Sequence, residues 1–155
     1  MDIQDEEVID TVEQALSETF EGLAFAQVFS REQSMEPIQL PGHVLASYID
    51  LPDPLHFRFL LAISSEQLGE FFETASSGAA VTDLILHDFV REICNTVAGH
   101  LQSKLAPEKK DMIIGLPHDP DRDQLSELLT PAEDRVLLNF EVEEYQVHCV
   151  LERLA

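Results

Sequence analysis

Residues 136–151 read Val-Leu-Leu-Asn-Phe-Glu-Val-Glu-Glu-Tyr-Gln-Val-His-Cys-Val-Leu, and this stretch decides the fold. Val136, Leu138, Phe140 and Val142 recur at every second position, Glu143 and Glu144 turn the chain, and Tyr145, Val147, Cys149 and Leu151 continue the inward face. A period of two on either side of a two-residue turn predicts an antiparallel hairpin. A second hairpin is predicted upstream, where Val44–Ile49 and Phe57–Ile63, both rich in β-formers, flank the turn cluster Leu51, Pro52, Asp53 and Pro54. In its second arm Phe57, Phe59, Leu61 and Ile63 alternate with His56, Arg58, Leu60 and Ala62.

Between and before the hairpins the period changes to that of a helix. From Asp5 to Leu23 the apolar residues Val8, Val12, Leu16 and Phe20 share one side, with Ile9, Ala15 and Leu23 beside them, and the acidic first turn suits the positive end of a helix dipole. A β-leaning stretch, Phe25–Arg31, follows, and Pro37 and Pro41 then break any regular element. Ser64, with Gln67 three residues on, reads as a capping box opening a short helix through Phe72. The longest periodic segment runs from Val81 to Leu105, with Leu86, Phe89, Val90, Ile93, Val97 and Leu101 forming one stripe before Pro107. Met112–Leu116 reads as a short strand ended by Pro117, and the acidic stretch to Asp134 as a loop with one helical turn at Leu125–Leu129. The expected architecture is α+β: a largely antiparallel sheet with two long helices and one short helix packed on it, in a single domain over residues 1–155.

Charge narrows the function. Thirty acidic residues against nine basic ones give a formal charge of −21, a field that repels nucleic-acid backbones and anionic lipid alike. No stretch approaches the roughly 20 apolar residues of a bilayer span, and no basic-then-apolar leader opens the sequence, so the expected setting is the cytoplasm, without membrane or nucleic-acid partners. Cys94 and Cys149 form no CxxC and sit within apolar patterns, as reduced buried thiols do.

The residues that carry chemistry lie on the long helix. Asp88, Glu92 and Asn95 stand at i, i+4 and i+7 and so fall within about 60° of arc at 100° per residue, away from the apolar stripe. Gly99 continues that face one turn later, where the missing side chain admits another surface. An Asn carboxamide both donates and accepts, so Asn95 can hold a water in line for attack without taking its proton. Phosphoryl transfer asks for this kind of positioning more than for a strong base. Glu92 would be repelled by a phosphoryl group and so calls for a cation on a partner.

The string Asp88-Phe89-Val90-Arg91-Glu92-Ile93-Cys94-Asn95 resembles the signature of the CheX and CheC response-regulator phosphatases: Asp or Ser, three residues, Glu, two residues, Asn, and a Pro somewhat over twenty residues later. Gly99, four positions after Asn95, and Leu116-Pro117 extend the resemblance, as does the order of elements along nearly the whole chain. Pro117 arrives one residue early and Cys94 stands where the family often has Gly, but neither departure touches Glu92 or Asn95. With only two asparagines, Asn95 and Asn139, the chain has at most one such site, which is similar to CheX rather than to two-motif CheC members.

The resemblance implies a phosphatase acting on the aspartyl-phosphate of a CheY-like response regulator. Glu92 would pair with the regulator's lysine, Asn95 would orient the attacking water, and Asp88 and Gly99 would serve docking, with Asp88 also placed to orient Arg91 or Glu92. No cofactor is expected on this chain; Mg²⁺ would come with the phosphorylated partner. The resemblance further implies a homodimer made by sheet pairing. The alternative is a non-catalytic module of the same fold that holds a response regulator or a second copy of itself. Two other readings are weaker. His100 could mark a phosphotransfer helix, but that calls for a helical bundle, and a partly buried, hydrogen-bonded histidine is the expectation. Asp119, Asp121 and Asp123 alternate like the start of a calcium loop, but Gln124 and Thr130 stand where Gly and Glu are needed, leaving a solvated acidic loop.

Overall fold

The computed structural model describes residues 1–40, 42–78, 80–109 and 114–155. Its elements are α1 (Glu6–Ala24), β1 (Val28–Ser34), β2 (Val44–Leu51), β3 (Phe57–Ser64), α2 (Ser65–Ala75), α3 (Asp83–Leu105), α4 (Arg122–Leu128), β4 (Arg135–Val142) and β5 (Tyr145–Arg153), with a short 3-10 turn at Pro107–Lys109. The five strands form one sheet in the order β1-β4-β5-β3-β2, and every pairing is antiparallel. Both expected hairpins form, β2 with β3 and β4 with β5, the latter in the register Val142 opposite Tyr145 that a turn at Glu143 and Glu144 requires.

One face of the sheet is covered by α1, α2 and α3. The apolar stripe of α3 is buried throughout, in the core it shares with Leu45 and Ile49 of β2, with Phe57, Phe59, Leu61 and Ile63 of β3 and with the inward residues of β4 and β5. Helix ends form where the sequence places caps: Asp5 accepts from the Glu7 N–H, Thr82 from that of Ile85, and Ser64 from that of Gln67. The capping box at Ser64 is only half made, because the Gln67 amide oxygen instead accepts from the Gln146 backbone N–H at the start of β5. That bond ties α2 to the second hairpin.

Several expectations need correction. The second face of the sheet is covered too. Leu60, Ala62, Leu137, Val150 and Ala46 are buried there under Leu128 and Leu129 from α4 and its C-terminus, with Ile38, Leu40 and Leu125 packed around them. Each fully buried aliphatic side chain contributes about 1.5–3 kcal/mol, enough to make a seven-residue helix a structural layer rather than a turn within a loop. The first strand begins at Val28, not Phe25, because Phe25 takes a left-handed conformation (φ 53°) as the C-cap of α1. Of the expected strand at Met112–Leu116, the first two positions lie outside the described residues and residues 114–116 form no strand. Pro41, expected to break regular structure, also lies outside them. Cys94 and Cys149 are buried free thiols, as anticipated. Among the described residues, no helix is long and apolar enough to cross a membrane.

Candidate functional site

The polar face of α3 is positioned by what lies beneath it. Val90, Ile93, Cys94, Val97 and Ala98 are buried, which leaves Asp88, Glu92 and Asn95 facing outward and exposed. From Asp88 to Gly99 the face runs about 16 Å along the helix. An added Cβ at Gly99 would meet no atom within 4 Å, so nothing inside the molecule requires glycine there. Glycine in a helix interior costs about 1 kcal/mol relative to alanine.

Of the residues the sequence singled out, the side chains of Glu92 and Asn95 make no hydrogen bond or ion pair among the described residues, whereas Asp88 is engaged. Its Oδ1 accepts from Arg91 Nη1 at 3.1 Å. The same guanidinium donates from Nε to Asp119 Oδ1 at 3.0 Å and from Nη2 to Asp119 Oδ2. Arg91 is thus forked onto a loop 28 positions away while holding the first residue of its own motif. These bonds, that to Asp119 foremost, raise the Arg91 pKa above its already high ordinary value, so the cation is permanent.

The reading of residues 119–123 as a solvated loop therefore fails at two positions. Asp119 is the carboxylate that Arg91 grips, and Asp121 accepts from the Gln124 N–H to cap α4. Both gain a local partner in place of water. Asp88 and Arg91 at i and i+3 are a legible pair in the sequence. Asp119 carries no such signal, since its partner is brought to it only by the fold.

Cys94 sits inside the motif as a buried free thiol. Burial pushes its thiol up to about 12, and its Sγ lies 3.5 Å from the Ser47 carbonyl oxygen, a contact that seats α3 on β2. His100 is half-buried, with Nδ1 3.3 Å from Glu18 Oε2 on α1. It belongs to the seam between α1 and α3, which Lys104 reinforces by donating to Glu18 Oε1 at 3.0 Å. Among the described residues no three His, Cys, Asp or Glu side chains converge as metal ligands do.

This arrangement of helices and sheet is found in solved structures along nearly their whole length. CheX from Vibrio vulnificus superimposes with a TM-score of 0.68 over 94% of this chain and 98% of that one, at 13% identity. The fold is that of CheX and CheC. The CheX–CheY–BeF3–Mg²⁺ complex from Borrelia burgdorferi matches with a TM-score of 0.68 over 96% of this chain and 98% of that one, at 10% identity. The FliG–FliM complex from H. pylori contains a chain similar at a TM-score of 0.55, 12% identity, and 96% and 94% coverage. No protein-family model and no curated protein sequence matches the chain. At these identities the likeness to CheX is one of fold.

Proposed function

We propose that this CheX-like chain is a phosphatase that hydrolyses the aspartyl-phosphate of a CheY-like response regulator in chemotaxis or two-component signalling. One observation carries the reading: on the exposed face of α3, Glu92 and Asn95 project side by side with no partner among the described residues, while the carboxylate next to them, Asp88, is already neutralised by Arg91. A carboxylate and a carboxamide left open on an otherwise paired surface form half of a site. A CheX of the same fold is known in complex with CheY, BeF3 and Mg²⁺, which supports a regulator as the other half.

In this mechanism the regulator brings the phosphoryl group, its Mg²⁺ and a lysine. Glu92 pairs with that lysine and fixes the register. Asn95 then lies one helical turn further on, where its carboxamide oxygen accepts from a water and its NH₂ orients the attack opposite the leaving aspartate oxygen. No proton need pass to the chain, because rate enhancement comes from alignment. Gly99 lets the regulator's surface settle against the helix. The chain itself holds no metal in this scheme.

The homodimer belongs to the same proposal. β1 and β2 are the edges of the sheet, and β2 is occupied at Tyr48 by a two-bond bridge to His118. The outer side of β1 has no strand partner among the described residues, and Phe29 on this strand is 59% exposed. A second copy pairing β1 with β1 would extend the sheet.

The test is the loss of phosphoryl label from a panel of phosphorylated response regulators with Mg²⁺, for wild type, Asn95→Ala and Glu92→Ala. Accelerated loss that disappears in both variants is the expected result. The likeness to a chain of the FliG–FliM complex favours a second reading, a non-catalytic holding module. Binding of a regulator with no acceleration across the panel would select it.

A further inference from the structure

Three carboxylates crowd the outer face of α3: Asp88, Glu92 and, from the loop ahead of α4, Asp119. One guanidinium serves two of them. Arg91 gives Nε and Nη2 to Asp119 and Nη1 to Asp88, and gives nothing to Glu92, its neighbour in sequence. The loop that Asp119 anchors is held from its other side as well. His118 exchanges backbone hydrogen bonds with Tyr48 (2.9 and 2.8 Å), Ser47 Oγ donates to the His118 carbonyl at 3.3 Å, and the Tyr48 and His118 rings lie 5.4 Å apart.

This bridge sets the height of the loop against the helix. Because it is antiparallel, Asp119 stands level with Ser47 and Pro117 level with Ile49. Cys94 reaches the Ser47 carbonyl, and His87 lines a groove together with Val44 and Ala46. The loop is thus fixed between β2 and α3, which it meets at Arg91. Leu116, 80% exposed, precedes Pro117.

We propose that Arg91 is a positioning residue for the reaction: by bridging Asp119 and Asp88 it straps the Leu116–Asp119 loop against α3 and, of these three carboxylates, leaves Glu92 open to a partner's cation. The inference rests on the phosphatase reading. Its physical basis is register. An open Asp88 stands one turn, about 6 Å, from Glu92, and would capture the same cation with the phosphoryl group displaced from Asn95 by that distance. A misplacement even of about 1 Å can cost on the order of a hundredfold in rate. The strap contributes little to stability, because Arg91 and Asp119 are each 37% exposed and Asp88 66%, and exposed pairs are weak.

The experiment compares wild type, Arg91→Ala and the exchanged pair Arg91→Asp with Asp119→Arg, in label-loss kinetics and in amide hydrogen exchange. For Arg91→Ala the kcat is expected to fall by about tenfold with KM falling alongside, as when a regulator is held in an unproductive register. A smaller folded fraction would lower kcat and leave KM where it was. Exchange at the Tyr48 and His118 amides should speed up in Arg91→Ala, and the exchanged pair should recover the protection. Unchanged exchange at those amides, or unchanged kcat with the loop freed, would overturn the proposal. Should wild type turn over no regulator at all, the phosphatase reading falls on its own, and the strap stands or falls on the exchange data.

Discussion

Replacing Asn95 by alanine should make this protein more stable and inactive at once. The Asn95 side chain is exposed and has no intramolecular partner among the described residues, so its removal breaks nothing in the fold. Alanine is the better helix former by about 0.5 kcal/mol at an interior position. In a chain of this length, that corresponds to a rise in Tm of roughly 1–2 °C. Loss of the water-orienting carboxamide should slow label loss on the order of 10²–10³-fold, the range seen when one preorganised polar group is removed from a transition state, equivalent to about 3–4 kcal/mol. Calorimetry and label-loss kinetics on the same preparation supply both numbers. A Tm lowered by more than about 3 °C would refute the reasoning, since it would mean that the carboxamide has a structural partner. A stabilised variant with wild-type turnover would remove Asn95 from the mechanism.

Other outcomes follow from the same geometry. Gly99→Ala should raise Tm by roughly 2–4 °C, because about 1 kcal/mol of helix propensity is gained with no clash, while weakening regulator binding; tighter binding would contradict the docking role. Leu60→Ala, at a fully buried position beneath α4, should cost roughly 2–5 kcal/mol in denaturant titration; a loss below 1 kcal/mol would mean that α4 is no structural layer. His148 is buried, with Nδ1 2.6 Å from Asn139 Oδ1, and burial lowers its pKa from 6.5 to about 4. The unfolded chain therefore binds a proton before the folded one does, so this contribution, roughly 3 kcal/mol, is complete above pH 6.5 and lost as pH falls toward 4. The stability gap between wild type and His148→Gln should shrink over that window; a gap that is flat with pH would contradict it. Phe29→Glu on the open edge of β1 should give a monomer in sedimentation analysis at concentrations where wild type is a dimer, and a wild-type monomer would retire β1 pairing.

Much of the fold was legible locally. The period of two around Glu143 and Glu144, and the steps of three and four from Leu86 to Leu101, are properties of neighbouring residues, and the β4–β5 hairpin and α3 formed where those patterns lie. The cover on the second face had a signal that alternation hides. Leu60 beside Leu61 and Leu137 beside Leu138 make continuous apolar runs, which a sheet tolerates only when both faces are buried. The i, i+4, i+7 spacing placed Asp88, Glu92 and Asn95 on one exposed face, because helical geometry fixes direction from sequence separation alone.

Sequence by itself thus determined the two hairpins, the long helices α1 and α3, and the composition of the α3 face. Only the tertiary structure decided that Arg91 is shared with Asp119 and that Glu92 and Asn95 are left without a partner among the described residues, because Asp119 is brought to Arg91 by a backbone bridge between His118 and Tyr48 on β2. It also decided which strand is the open edge, since strand order is set by contacts between segments far apart in the chain. Periodicity records which side of an element is apolar; it carries no information about what that side meets. A charge has no such direction until the fold brings it a partner.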